Sequence, residues 1–85
     1  LRKYCSTGEI NFEVTDKDKK IEQIAEHFKD GKIDYLDGVT IEYSDWWFNV
    51  RKSNTEPLLR LNLEGKTKAI MEQRKKQVID IIEGA

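Results

Sequence analysis

Three runs in the middle of the chain alternate apolar and polar residues with a period of two, and nothing else in the sequence constrains the fold as strongly. Val39, Ile41 and Tyr43 alternate with Thr40 and Glu42. Trp46, Phe48 and Val50 alternate with Trp47, Asn49 and Arg51. Leu59, Leu61 and Leu63 alternate with Arg60 and Asn62. Successive side chains of a strand point to opposite faces, so each run has one face to bury and one to leave in water. Ser44-Asp45 is a short turn that makes the first two runs a hairpin. Residues 8–14 alternate in the same way, with Ile10, Phe12 and Val14 opposite Glu9, Asn11 and Glu13.

Two stretches carry a helical period instead. Ile21, Ile24, Ala25 and Phe28 follow the i, i+3, i+4, i+7 spacing. Thr15 and Asp16 are N-cap candidates for this helix, and Gly31 is its expected C-terminal stop. Residues 66–83 form the second helix, with Ile70, Met71, Val78, Ile81 and Ile82 on its apolar side. Arg74 interrupts that stripe and can lay its stem along it, and Glu72 and Lys76 are expected to pair. Residues 31–38 read as a connection ending in an Asp37-Gly38 turn. Residues 1–7 read as a linker from a preceding domain, with residues 8–85 as the domain proper. The expected fold is therefore α+β: a four-stranded, mostly antiparallel sheet with two helices on one face, in the order β-α-β-β-β-α.

Size and charge limit what such a domain can do. With 85 residues the chain fits one domain, burying roughly 60–65% of its unfolded surface. That supports a modest core but not an enclosed active site. The 15 basic and 16 acidic residues nearly balance, which argues against a nucleic-acid partner held by a broad basic face. No apolar run approaches the ~20 residues of a membrane span, and no secretory signal is visible at the N-terminus. The single Cys5 has no partner for an internal disulfide and fits a reducing, cytoplasmic setting.

The segment that breaks the alternation carries the chemistry. Arg51 ends one strand and Arg60 lies within the next, so a hairpin brings two guanidinium groups toward one space. Between them lie Ser53, Asn54 and Thr55, whose side chains donate hydrogen bonds and whose backbone N–H groups no ladder obviously claims. Arginine adds a planar, permanently charged fork suited to a phosphate. Pro57 stiffens the loop exit. Glu56 is expected to orient Arg51 or Arg60 rather than touch an anion.

Other residues that suggest chemistry read as structure. His27 is a helix-surface histidine. Of Trp46 and Trp47, one fills the core and the other covers a face. Lys17, Lys19 and Lys20 read as a solvated helix face. Glu9 and Glu13 lie too far apart along their strand to act as an acid–base pair.

The run from Arg51 to Arg60 resembles the R-x-S-[NG]-T-E-P-x-x-R phosphate-binding loop of the α-D-phosphohexomutases. The resemblance extends to Gly8-Glu9-Ile10-Asn11-Phe12, Asp37-Gly38-Val39 and Asp45 through Val50, all within the family's fourth, C-terminal domain. It implies a TATA-binding-protein-like fold. It further implies a four-domain enzyme in which a phosphoserine of the first domain, beside a Mg²⁺ ion, exchanges phosphoryl with the sugar through a bisphosphorylated intermediate. The fourth domain grips the phosphate that is not being transferred, and Arg51, Ser53, Asn54, Thr55 and Arg60 match the gripping positions.

Asn54 and the Trp46-Trp47-Phe48-Asn49 run make the chain look more like a phosphomannomutase/phosphoglucomutase than a phosphoglucosamine mutase. The expected partners are a hexose phosphate and the remaining domains, with no nucleic acid and no membrane. No match to the phosphoserine loop, the Mg²⁺-binding aspartates or the sugar-specificity loop occurs, so no cofactor and no catalysis are expected of this domain alone. A free-standing anion-binding or interaction module is the alternative from a different class.

Overall fold

The computed structural model describes residues 4–84. Its elements are β1 (Cys5–Glu13), α1 (Lys17–His27), β2 (Lys32–Asp34), β3 (Val39–Glu42), β4 (Trp46–Lys52), β5 (Leu58–Gly65) and α2 (Lys68–Glu83). The strands form one sheet in the order β1-β5-β4-β3-β2, and every neighbouring pair is antiparallel. The α+β class and the hairpins stand, but the sheet has five strands rather than four. The added strand, β2, occupies the expected connection and pairs Ile33 with Ile41. It is three residues long with one apolar side chain, too short to show an alternation.

β1 starts at Cys5, within the expected linker, while Leu1, Arg2 and Lys3 lie outside the described residues. Its register against β5 slips between Ser6 and Glu9, and Gly8 takes a φ of 68° there. This is a bulge that only glycine adopts without strain. It lets Cys5 and Ile10 both face the core although four residues, an even number, lie between them. Cys5 is a free thiol packed against the core from this strand.

The core lies between one sheet face and both helices. Phe48, Leu61 and Val78 are fully buried, as are Val39, Val50 and Ile24. Phe28 meets Phe48 edge-on at 5.1 Å and Trp46 at 5.7 Å, a geometry that adds about 0.5–1.5 kcal/mol per aromatic pair beyond burial. Trp46 is the core tryptophan of the adjacent pair, and Arg74 lies over its ring at 5.0 Å.

Local signals are met with three corrections. Asp16 caps α1 by accepting from the Lys19 N–H at 3.1 Å, and Thr67 caps α2 by accepting from Ile70 N–H. However, α1 ends at His27, four residues before Gly31. Gly31 serves packing instead: a Cβ there would stand 2.7 Å from Ile41 Cγ2. Lys20 is not solvated. It is 9% exposed, and its Nζ donates to the carbonyls of Ile81 at 3.1 Å and Gly84 at 2.8 Å. A cation from α1 thus satisfies the C-terminal carbonyls of α2. Glu72 pairs with Lys75 at 2.8 Å, and Lys76 with Asp80 at 3.5 Å, in place of the expected Glu72–Lys76 contact.

Among the described residues, no helix covers the opposite face of the sheet. Trp47, Asn49, Arg51, Arg60, Asn62 and Glu64 project from β4 and β5 there, all partly exposed. Among the described residues, no helix is long and apolar enough to cross a membrane.

Candidate functional site

The β4–β5 hairpin sets the site. Its register places Arg51 directly opposite Arg60 and Lys52 opposite Leu59. Both arginines have the parity of the open face, because Val50, Leu59 and Leu61 take the buried one. The Ser53 N–H donates to the Leu58 carbonyl at 3.0 Å and closes the hairpin, and the Leu58 N–H donates to the Glu56 carbonyl at 2.8 Å. The Val14 N–H donates to the Pro57 carbonyl at 3.2 Å, which ties the loop exit to the end of β1.

Within the loop, backbone donors remain. The Thr55 N–H reaches only the Ser53 hydroxyl, at 3.5 Å. Among the described residues, no acceptor takes the N–H of Asn54 or Glu56. The expectation of free loop amides therefore holds except at Ser53, whose N–H is used by the hairpin. The loop walls a shallow hollow of about 480 Å³ together with Lys17 and Lys52.

Those two lysines were not foreseen as site residues. Lys52 sits in the motif itself, and Lys17 arrives from the first turn of α1. Lys52 Nζ also binds Asp18 at 2.9 Å, which ties the loop to that turn. The Lys52 hydrogen bond and charge hold the Asp18 carboxyl below the usual carboxylate range.

The arginines lie at the base of the loop on the open face, and Arg51 borders a different hollow. Arg51 borders a space of about 400 Å³ with Asp37, Asn49, Trp47 and Glu64. Its guanidinium lies 3.6 Å from Asp37 and 3.9 Å from Glu9. Arg60 lies 3.9 Å from the other oxygen of Glu9, and its Nε is buried without a hydrogen-bond partner.

So the structure brings Arg51 and Arg60 together, and it gathers Ser53, Asn54 and Thr55 in the adjoining loop. The loop residues and Arg51 line separate hollows rather than one. Glu56 lines the loop hollow and, among the described residues, makes no ion pair with either arginine; the carboxylates paired with them are Glu9 and Asp37.

The turn holding Asp37 is itself fixed. Gly38 has a φ of 69° and packs against the Val50 carbonyl and the Arg51 backbone. Asn49 Nδ2 donates to the Asp37 carbonyl at 2.8 Å and to Thr40 Oγ1 at 2.9 Å. Trp47 covers the open face with its Nε1 donating to Glu64 at 3.0 Å. His27 is exposed at the end of α1, edge-on to Phe28. Among the described residues, no three histidine, cysteine or acidic side chains converge as a metal site.

Two features thus suit an anion: amide, hydroxyl and ammonium donors around the loop, and a guanidinium pair held loosely at its base. Ion pairs of 3.6–3.9 Å are longer than charge-assisted hydrogen bonds. Their donors remain available to a phosphate oxygen.

Comparison with known proteins gives a consistent result. The family model described as phosphoglucomutase/phosphomannomutase, C-terminal domain, matches residues 9–81. A phosphomannomutase of Methanocaldococcus jannaschii is 49% identical over 80 residues, covering 94% of this chain and 18% of that protein. A phosphomannomutase of Vibrio cholerae is 42% identical over 81 residues, covering 92% of this chain and 17% of that protein. A crystal structure of a phosphoglucomutase/phosphomannomutase family protein from Burkholderia thailandensis superimposes with a TM-score of 0.72 at 26% identity, over 98% of this chain and 19% of that one. The chain thus spans less than a fifth of the length of these relatives.

Proposed function

The chain belongs to the phosphoglucomutase/phosphomannomutase family, whose C-terminal domain it matches over residues 9–81, and from that premise we propose that it is the phosphate-gripping domain of a mutase interconverting hexose 1-phosphate and hexose 6-phosphate. The observation that carries this reading is the Arg51–Arg60 pair, set directly across the hairpin whose loop presents Ser53, Asn54 and Thr55.

The proposed work of the domain is binding rather than bond-making. Arg51 and Arg60 supply charged forks to the phosphate that is not being transferred. Ser53, Thr55 and the free loop amides supply further donors, and Lys17 and Lys52 add positive charge at the loop mouth. Each charge-assisted hydrogen bond is worth ~1.5–3 kcal/mol net, and less in an open, wet loop. After the cost of association, two or three of them leave a Kd near ~1 mM. Tight binding then requires other domains to close over the sugar phosphate.

In this reading phosphoryl transfer through a 1,6-bisphosphate occurs elsewhere in the full-length enzyme, at a phosphoserine beside Mg²⁺. Among the described residues of this domain, no cluster of histidine, cysteine or acidic side chains fits that ion. The isolated domain is expected to be inactive. The partners are a hexose phosphate and the other domains, without nucleic acid or membrane, in the cytoplasm.

Arg51→Ala in the full-length enzyme tests the assignment. KM for mannose 1-phosphate is expected to rise at least about tenfold, or kcat/KM to fall by as much, with the unfolding temperature nearly unchanged. Unchanged kinetics would remove Arg51 from the grip.

A further inference from the structure

The two arginines are a problem before they are a tool. They stand directly opposite each other on neighbouring strands, where like charges repel and drive the side chains apart. A pair that splays cannot present two forks to one phosphate. Something must hold it together without filling the anion's place.

Glu9 occupies the position that does so. Its Oε1 lies 3.9 Å from Arg51 Nη2, and its Oε2 lies 3.9 Å from Arg60 Nη1. One carboxylate thus bridges both guanidinium groups, an oxygen to each. Among the described residues it is the only carboxylate near Arg60, whose Nε has no acceptor. The contacts are longer than hydrogen bonds, so the arginine N–H groups are not consumed.

The backbone arranges this through the bulge at Gly8. Glu9 pairs with Asn62, one step along β5 on the same face as Arg60, and a diagonal neighbour of that kind is within reach of a long side chain. Without the extra residue between Ser6 and Glu9, the side chains on one side of the slip would point to the opposite face. The bulge therefore keeps Cys5 packed against the core while Glu9 stays beside the arginines.

We propose that Glu9 is a positioning residue for the phosphate grip: its carboxylate, set on the open face by the Gly8 bulge, holds Arg51 and Arg60 side by side so that both meet one phosphate. The proposal rests on the reading of Arg51 and Arg60 as phosphate ligands. It predicts an effect on binding rather than on turnover, because Glu9 acts only through the arginines.

The test uses the full-length enzyme with Glu9→Gln, Glu9→Asp, Arg51→Ala and the double variant Glu9→Gln/Arg51→Ala, assayed with mannose 1-phosphate. Glu9→Gln is expected to raise KM about tenfold with kcat within about twofold. Glu9→Asp, which keeps the charge, should recover most of the loss. In the Arg51→Ala background, Glu9→Gln should add less than about twofold, since the residue it positions is gone.

Wild-type kinetics for Glu9→Gln beside a raised KM for Arg51→Ala would overturn the role of Glu9 and leave the phosphate grip standing. A lowered KM would overturn it too, showing that the carboxylate competes with phosphate. So would a fully additive double variant, or a loss that tracks a lowered unfolding temperature and is not recovered by Glu9→Asp. Unchanged KM in Arg51→Ala would remove the grip itself, and this inference with it.

Discussion

The two faces of the sheet are made by the same strands and have opposite duties. On the helix-covered face, Phe48, Val50, Leu59 and Leu61 lose all contact with water. On the open face, Asn49, Arg51, Arg60 and Asn62 occupy the alternate positions of the same two strands and stay partly exposed. The covered face is held by burial, which is insensitive to direction and scales with area. The open face is held by a few directed contacts, such as Asn49 to Asp37 and Trp47 to Glu64. If the open face binds phosphate as proposed, stability and recognition can be altered separately, one residue apart in sequence.

The sharpest way to break this comparison is to truncate neighbours on β5. Leu61→Ala should cost about 3–4 kcal/mol, as a well-packed core leucine does. Arg60→Ala should cost less than about 1 kcal/mol. Chemical denaturation of the two variants measures both, and equal costs would abolish the division of labour.

Lys20→Ala probes a cation that belongs to the covered side. It leaves the carbonyls of Ile81 and Gly84 without their donor and removes a packed stem. The expected loss is about 1–2 kcal/mol, with no effect on phosphate binding. A smaller loss would mean that water replaces the ammonium group readily.

The smallest effect is expected at the Asp18–Lys52 tether, which is exposed. Because its pKa is depressed in the folded state, Asp18 contributes stability that is fully present above the unfolded carboxylate pKa. That contribution is lost as pH falls through the lower, folded value. The tether should therefore survive mild acid and release only below the ordinary carboxylate range. Amide shifts of Lys52 and Ser53 along an acid titration would follow it, and Asp18→Asn should reproduce the released state at neutral pH with little change in global stability.

How far the sequence reached depended on how local each signal was. The strands β4 and β5 follow from alternation, and pairing them as a hairpin brings Arg51 and Arg60 toward one space; their direct facing is set by the register. The cap at Asp16 and the turn at Gly38 are local as well. What stayed hidden depends on strand order. Glu9 reaches both arginines because β1 inserts beside β5 rather than beside a sequence neighbour, and no period in the sequence encodes that. The same holds for Lys20, whose partners lie more than sixty residues away. β2 escaped because a three-residue strand carries one apolar position, and Gly31 because a packing glycine and a capping glycine look alike in sequence.

An amide-resolved NMR titration of this domain with mannose 6-phosphate, with inorganic phosphate as the control ligand, asks directly whether the loop between β4 and β5 is a preformed phosphate grip. A preformed grip gives saturable shifts centred on Ser53, Asn54 and Thr55 with a Kd near ~1 mM for both ligands. Shifts centred outside the loop and its two flanking arginines, or none at roughly ten times that concentration, would contradict it.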